Sequence, residues 1–140
     1  MKYTVNISVT SDPVDVDIIT SVVPELGGKL IIAAFSLKRP VQVGDDVREI
    51  AELIATAITQ YGRPTYNDIV VVSGRGPIYL YALIQHNLHG NVNVLAFYDP
   101  KLPGAVIVSS NNPNYREGDV VNIPESIAEK LAQPKTPGSQ

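Results

Sequence analysis

Apolar and polar residues alternate from Tyr3 to Val9, the period of a strand with one buried face. Val14 to Ile19 continues as a second extended piece, read as an edge strand. After the Gly27-Gly28 turn, the apolar run from Lys29 to Leu37 reads as a more central strand. Between Asp45 and Gln60 the period changes. Val47, Ile50, Ala51, Ile54, Ala57 and Ile58 recur at helical spacing, with Arg48, Glu49 and Glu52 on the wet side and Asp45 as N-cap. Tyr61-Gly62-Arg63-Pro64 ends that helix. Ile69 to Val72 is a buried strand. A helix follows from Pro77, suited to a first helical position, to about His89, with Gly90 as a glycine cap. Strands at Val92 to Tyr98, Ala105 to Ser109 and Val120 to Ile123 come next, then a short helix ending near Leu131. The polar stretch 134–140 is expected to be a disordered tail.

This order predicts one α/β (α+β) domain over residues 1–133, a sheet with two main helices. Strand 69–72, its helix and strand 92–98 form one βαβ unit, which makes the two strands parallel. The chain has 140 residues, 44% hydrophobic and 18% charged, enough to bury a core. It shows no apolar run of membrane-spanning length and no signal-peptide core, which points to a cytoplasmic protein without a membrane partner. The absence of cysteine excludes disulfides and thiolate chemistry. The net charge of −3 argues against unselective grip on DNA or long RNA, so an anionic partner must be small and met by a local cluster of donors.

Two clusters carry candidate chemistry. The first is Ser73-Gly74-Arg75-Gly76, between a strand and a helix N-terminus. Glycines admit a close backbone approach, free helical N–H groups bind anions, and Arg75 adds a forked cation. Asp99 and Lys101 follow the next strand of the same βαβ unit. They therefore fall on the same edge, where sites form in parallel sheets. The plain alternative is an ordinary strand-to-helix turn with a common Asp-Pro turn beside it. The second cluster is His86 and His89, the only histidines, three apart and placed on one face at the helix C-terminal end. Imidazole there can hold phosphate, move protons or bind a metal. Alternatively, both histidines are solvated. Lacking cysteine, a metal would rely on carboxylate or phosphate oxygens, which suits Mn²⁺ or Mg²⁺. The helix separates the clusters by roughly 18–20 Å at about 1.5 Å per residue. They cannot act on one phosphodiester within a subunit, so joint action requires stacked subunits.

Val-Val-Ser-Gly-Arg-Gly-Pro-Ile-Tyr-Leu (71–80), His86/His89, Phe-Tyr-Asp-Pro-Lys-Leu (97–102), Gly-Ala-Val-Ile-Val-Ser (104–109) and Arg-Glu-Gly-Asp-Val (116–120) occur in that order. In these motifs the chain resembles the CRISPR-associated ring nucleases of the Csx-three (Crn-three) group of type III systems. The resemblance covers residues 69–123 and, more loosely, 29–68. It implies a ferredoxin-like subunit distantly related to CARF domains. It also implies dimers stacking head to tail around cyclic tetra-adenylate, and Mn²⁺-dependent cleavage of that ring to short linear oligoadenylates. On this chain His89 matches the catalytic histidine, supported by His86. Asp99 matches an important aspartate and tentative metal ligand, and Ser73 and Arg75 match the ligand-gripping turn. The chain departs from the pattern at Gly90, where a further histidine is usual, and at Lys101, where arginine is usual. The rival expectations are a non-catalytic sponge or sensor for the ring and a Mn²⁺-dependent exonuclease trimming 3′-adenylates.

Overall fold

The computed structural model describes residues 4–102 and 104–132. The expected tail at 134–140 lies outside them. Seven strands form one mixed sheet in which spatial order equals sequence order. They are β1 (Thr4–Thr10), β2 (Val14–Val23), β3 (Gly28–Leu37), β4 (Ile69–Ser73), β5 (Val94–Asp99), β6 (Gly104–Ser110) and β7 (Val120–Asn122). The helices are α1 (Asp45–Ala57), α2 (Ile78–Leu88) and α3 (Glu125–Ala132).

The α/β expectation holds, and β4–α2–β5 is a parallel unit. A second such unit, β3–α1–β4, precedes it. A ferredoxin-like sheet interleaves split βαβ units. Here both units are unsplit, and antiparallel hairpins extend the sheet on either side. The second extended piece is longer than expected and is not an edge, because β2 pairs with β1 on one side and β3 on the other.

Two crossovers of the same hand, advancing in the same direction, place both helices on one face. Accordingly α1 and α2 share a core with Val16, Ile18, Ile31, Phe35, Val70 and Val72. Ile32, Ile69, Val71 and Ala96 point to the opposite face, into a core shared with Ile107, Val121 and Ile127 of α3. Being covered on both sides explains why β3 and β4 read as continuous apolar runs while β1 alternates.

The starts of α1 and α2 and the end of α1 differ from expectation. The N-cap of α1 is Gly44 (φ +84°), not Asp45, and no side chain caps that end. Asp45 and Asp46 instead sit in the first turn, where negative charge suits the helix dipole. Helix α1 ends at Ala57 and continues as a wider π turn to Gly62. A Cβ on Gly62 would lie 2.7 Å from a methyl of Ile31, so the glycine lets this turn sit directly on β3. Pro77 is the N-cap of α2 rather than its first helical residue.

Candidate functional site

Strands β3, β4 and β5 all finish on one edge of the sheet, and the register brings their last residues together. Ala34 lies opposite Ser73, and Val72 lies opposite Phe97, two residues before Asp99. The turn Ser73–Gly76 and the turn Asp99–Leu102 are therefore neighbours, as expected. Ser73 is buried, whereas Arg75, Gly76 and Lys101 are exposed.

The glycine turn rests on an aromatic stack that the sequence pattern did not reveal. Tyr81 of α2 sits between Phe35 of β3 and Phe97 of β5, with ring centroids 5.8 and 5.3 Å away. Its hydroxyl donates a hydrogen bond to the carbonyl of Gly74. Burial pushes the Tyr81 phenol above its ordinary pKa, which keeps it protonated as the donor. A Cβ on Gly74 would meet the Phe35 ring at 2.6 Å, and one on Gly76 would meet Leu80 at 2.9 Å. Both glycines thus have a packing reason. The packing fixes the turn without using Arg75.

Arg75 and Lys101 form no ion pair among the described residues. The carboxylate of Asp99 closes its own turn, accepting from the Lys101 backbone N–H at 2.9 Å, and the Leu102 N–H donates to the Asp99 carbonyl. At the start of α2 the capping residue offers no side-chain acceptor. Ile78 is 84% exposed, and Tyr79 and Leu102 are exposed beside it. This edge therefore combines two unpaired cations, a helix N-terminus and an uncovered apolar rim. A small anion with flat apolar groups fits it.

The histidines occupy the opposite edge. Helix α2 is 11 residues long, about 16 Å at 1.5 Å per residue, which preserves the separation expected from sequence. Their relation to each other differs. Helix α2 stops at Leu88, its last buried residue, and His89 is extended (φ −60°, ψ 127°). Gly90 then turns with φ +87°, and the Asn91 N–H bonds back to the Leu88 carbonyl. His86 and His89 consequently do not share a helix face, because the chain unwinds before the second one. Both are exposed. Nearby, the Asn93 amide donates to the Tyr66 carbonyl at 3.1 Å and ties β5 to the loop before β4.

Among the described residues, no group of three or more His, Asp or Glu side chains could hold a metal ion. Asp99 is a single carboxylate with one oxygen engaged in its own turn. A groove of about 570 Å³ lined by Val23, Leu26, Tyr115 and Val120 includes none of the expected site residues. No helix among the described residues is long and apolar enough to cross a membrane.

The fold and edge together define an α/β protein in which two turns meet at the carboxyl ends of parallel strands. Residues 59–122, which contain both clusters, match the family described as CRISPR-associated protein (Cas_csx3). An uncharacterized protein of Aquifex aeolicus (strain VF5) is 49% identical over 55 residues, covering 39% of this chain and 49% of that protein. The chain thus spans about half the length of this curated relative. No solved structure shows significant similarity.

Proposed function

We propose that this chain is a CRISPR-associated ring nuclease that opens cyclic tetra-adenylate into short linear oligoadenylates. One observation carries the reading. The anion-gripping turn and the histidines both lie inside the segment similar to the CRISPR-associated family, yet sit at opposite ends of one helix. A site built head to tail between copies uses both; a site within one chain uses only one.

In that arrangement the N–H groups opening α2, Arg75 and Lys101 of one copy hold phosphates, with Ser73 and the glycine backbone shaping the turn. Asp99 orients the scissile phosphate. His89 of the stacked copy, with His86 from the last turn of its helix, handles the protons. The ribose 2′-oxygen forms a bond to the adjacent phosphorus, and the phosphorus–O5′ bond breaks. The 2′-hydroxyl proton passes to a neutral imidazole, and a protonated imidazole supplies the O5′ leaving group. A divalent ion, Mn²⁺ or Mg²⁺, would enter with the phosphate oxygens and take Asp99 as its one protein carboxylate, neutralising charge.

The test is purified protein incubated with labelled cyclic tetra-adenylate and Mn²⁺, in parallel with H89A. Linear product from the wild type and its loss in H89A are expected. No product, or equal product from both, sinks the assignment. A second reading, a sponge that binds the ring without cutting it, is favoured by the exposed histidines. Tight binding without turnover, indifferent to EDTA, selects it.

A further inference from the structure

The two edges of the sheet are protected very differently. Strand β7 is three residues long and leads directly into α3, the short kind of edge that resists pairing. Strand β1 is seven residues long and pairs with β2 in unbroken register, so no bulge interrupts it. It carries no charge and no proline. Shortness, charge, proline and bulge, four devices that blunt an exposed edge, are thus missing from it.

The sequence of β1, Thr-Val-Asn-Ile-Ser-Val-Thr, is nearly the same read in either direction about Ile7. We infer that β1 is a homotypic pairing edge, on which a second copy of this chain adds its own β1 antiparallel with the two-fold axis at Ile7. A symmetric interface of this kind must be self-complementary, and this one is. Thr4 faces Thr10, Val5 faces Val9, Asn6 faces Ser8 and Ile7 faces itself.

The known register with β2 extends each pair into a row across four strands. The central row is Ile18, Ile7, and then Ile7 and Ile18 of the second copy. Its neighbour runs Val16, Val9, and then Val5 and Thr20 of the second copy. Val5, Ile7 and Val9 are only half-buried in one chain, and the pairing sets the two apolar stripes side by side. On the polar face the row through Asp17 and Ser8 continues to Asn6 and Ile19 of the second copy. The row through Asp15 and Thr10 continues to Thr4 and Ser21. No row sets one aspartate against another, so charge does not oppose the contact. The result joins two seven-stranded sheets into one of fourteen.

The two-fold also has a geometric consequence for the proposed site, though the pairing stands without it. The axis is perpendicular to the sheet and reverses strand direction. Each long side of the dimer then presents the glycine turn of one copy and the histidines of the other, which suits stacking onto further dimers.

Sedimentation or light scattering without oligoadenylate should give twice the 15.1 kDa of the chain, and I7K, which opposes two lysines at the axis, should give a monomer that keeps the wild-type circular dichroism spectrum. Position-specific oxidation removes any ambiguity from folding, since the chain has no other cysteine. I7C should form an intermolecular disulfide. T4C, about 20 Å from its own counterpart at roughly 3.3 Å per residue, should not. A monomeric wild type, a dimeric I7K, or equal cross-linking of the two cysteine variants overturns the proposal. None of these results depends on whether the ring is cut.

Discussion

Arg75 and Gly74 are adjacent but answer to different physics. Gly74 has no room for a methyl group against Phe35. G74A should therefore cost about 1–3 kcal/mol by overpacking, seen as a lower urea midpoint, with ligand affinity falling as a consequence. Arg75 is exposed and makes no ion pair among the described residues. R75A should leave the urea midpoint within about 0.5 kcal/mol of wild type and still weaken oligoadenylate binding at least tenfold in a fluorescence titration. If R75A unfolds the protein, or binds as well as wild type, the assignment of this cation to phosphate is wrong. Conversely, G74A with unchanged stability would leave its close contact with the Phe35 ring without consequence.

Helix α2 shows the same division along its length. Leu80, Ile84 and Leu88 recur at helical spacing and are fully buried, each burial stabilising by about 1.5–3 kcal/mol. Ile78 at the helix start faces solvent. L80A should lower stability by about 2–5 kcal/mol. I78A should be neutral in a chemical melt while changing affinity for the ring if the proposed site is right, because Ile78 opens the helix that follows the glycine turn. At the start of α1, Asp46 is held at a pKa of about 2 by its hydrogen bonds with the Arg39 guanidinium and then the Gln42 N–H. A carboxylate depressed in the folded state contributes stability that is complete above its unfolded pKa of about 3.9 and disappears as pH falls through about 2. Thermal midpoints of the wild type should consequently fall more steeply between pH 4 and pH 2 than those of D46N. Parallel slopes would show that this contact does not contribute.

For the assembled molecule, the separation of the two clusters makes a prediction that no single variant can deliver. D99N retains its histidines, and H89A retains its turn. If the site forms between copies, mixing the two inactive proteins should restore part of the cleavage of cyclic tetra-adenylate, because some junctions then carry one intact cluster from each parent. A mixture as inactive as its parts would mean that the clusters do not meet.

Period and burial made most of the architecture legible. Alternation in β1, helical spacing in α1 and the flanked apolar run of β4 each reflect a local rule, namely which side chains must leave water, and the chain states it without help from distant residues. The pairing of β4 with β5, and so the meeting of Ser73–Gly76 with Asp99–Lys101, followed from the handedness and adjacency of a short βαβ crossover. Other features depended on contacts far apart in sequence. The interior place of β2 depends on β1 lying outside it. The glycine at 74 is required by Phe35, and Tyr81 locks the turn only because Phe35 and Phe97 arrive from two other strands. The parting of His86 from His89 was hidden for a different reason. Helical periodicity persists in the residue types to His89, but the backbone follows the last buried side chain, Leu88, and then the left-handed Gly90. Local periodicity is written in residue types, and which surfaces touch is settled only when the sheet closes over them.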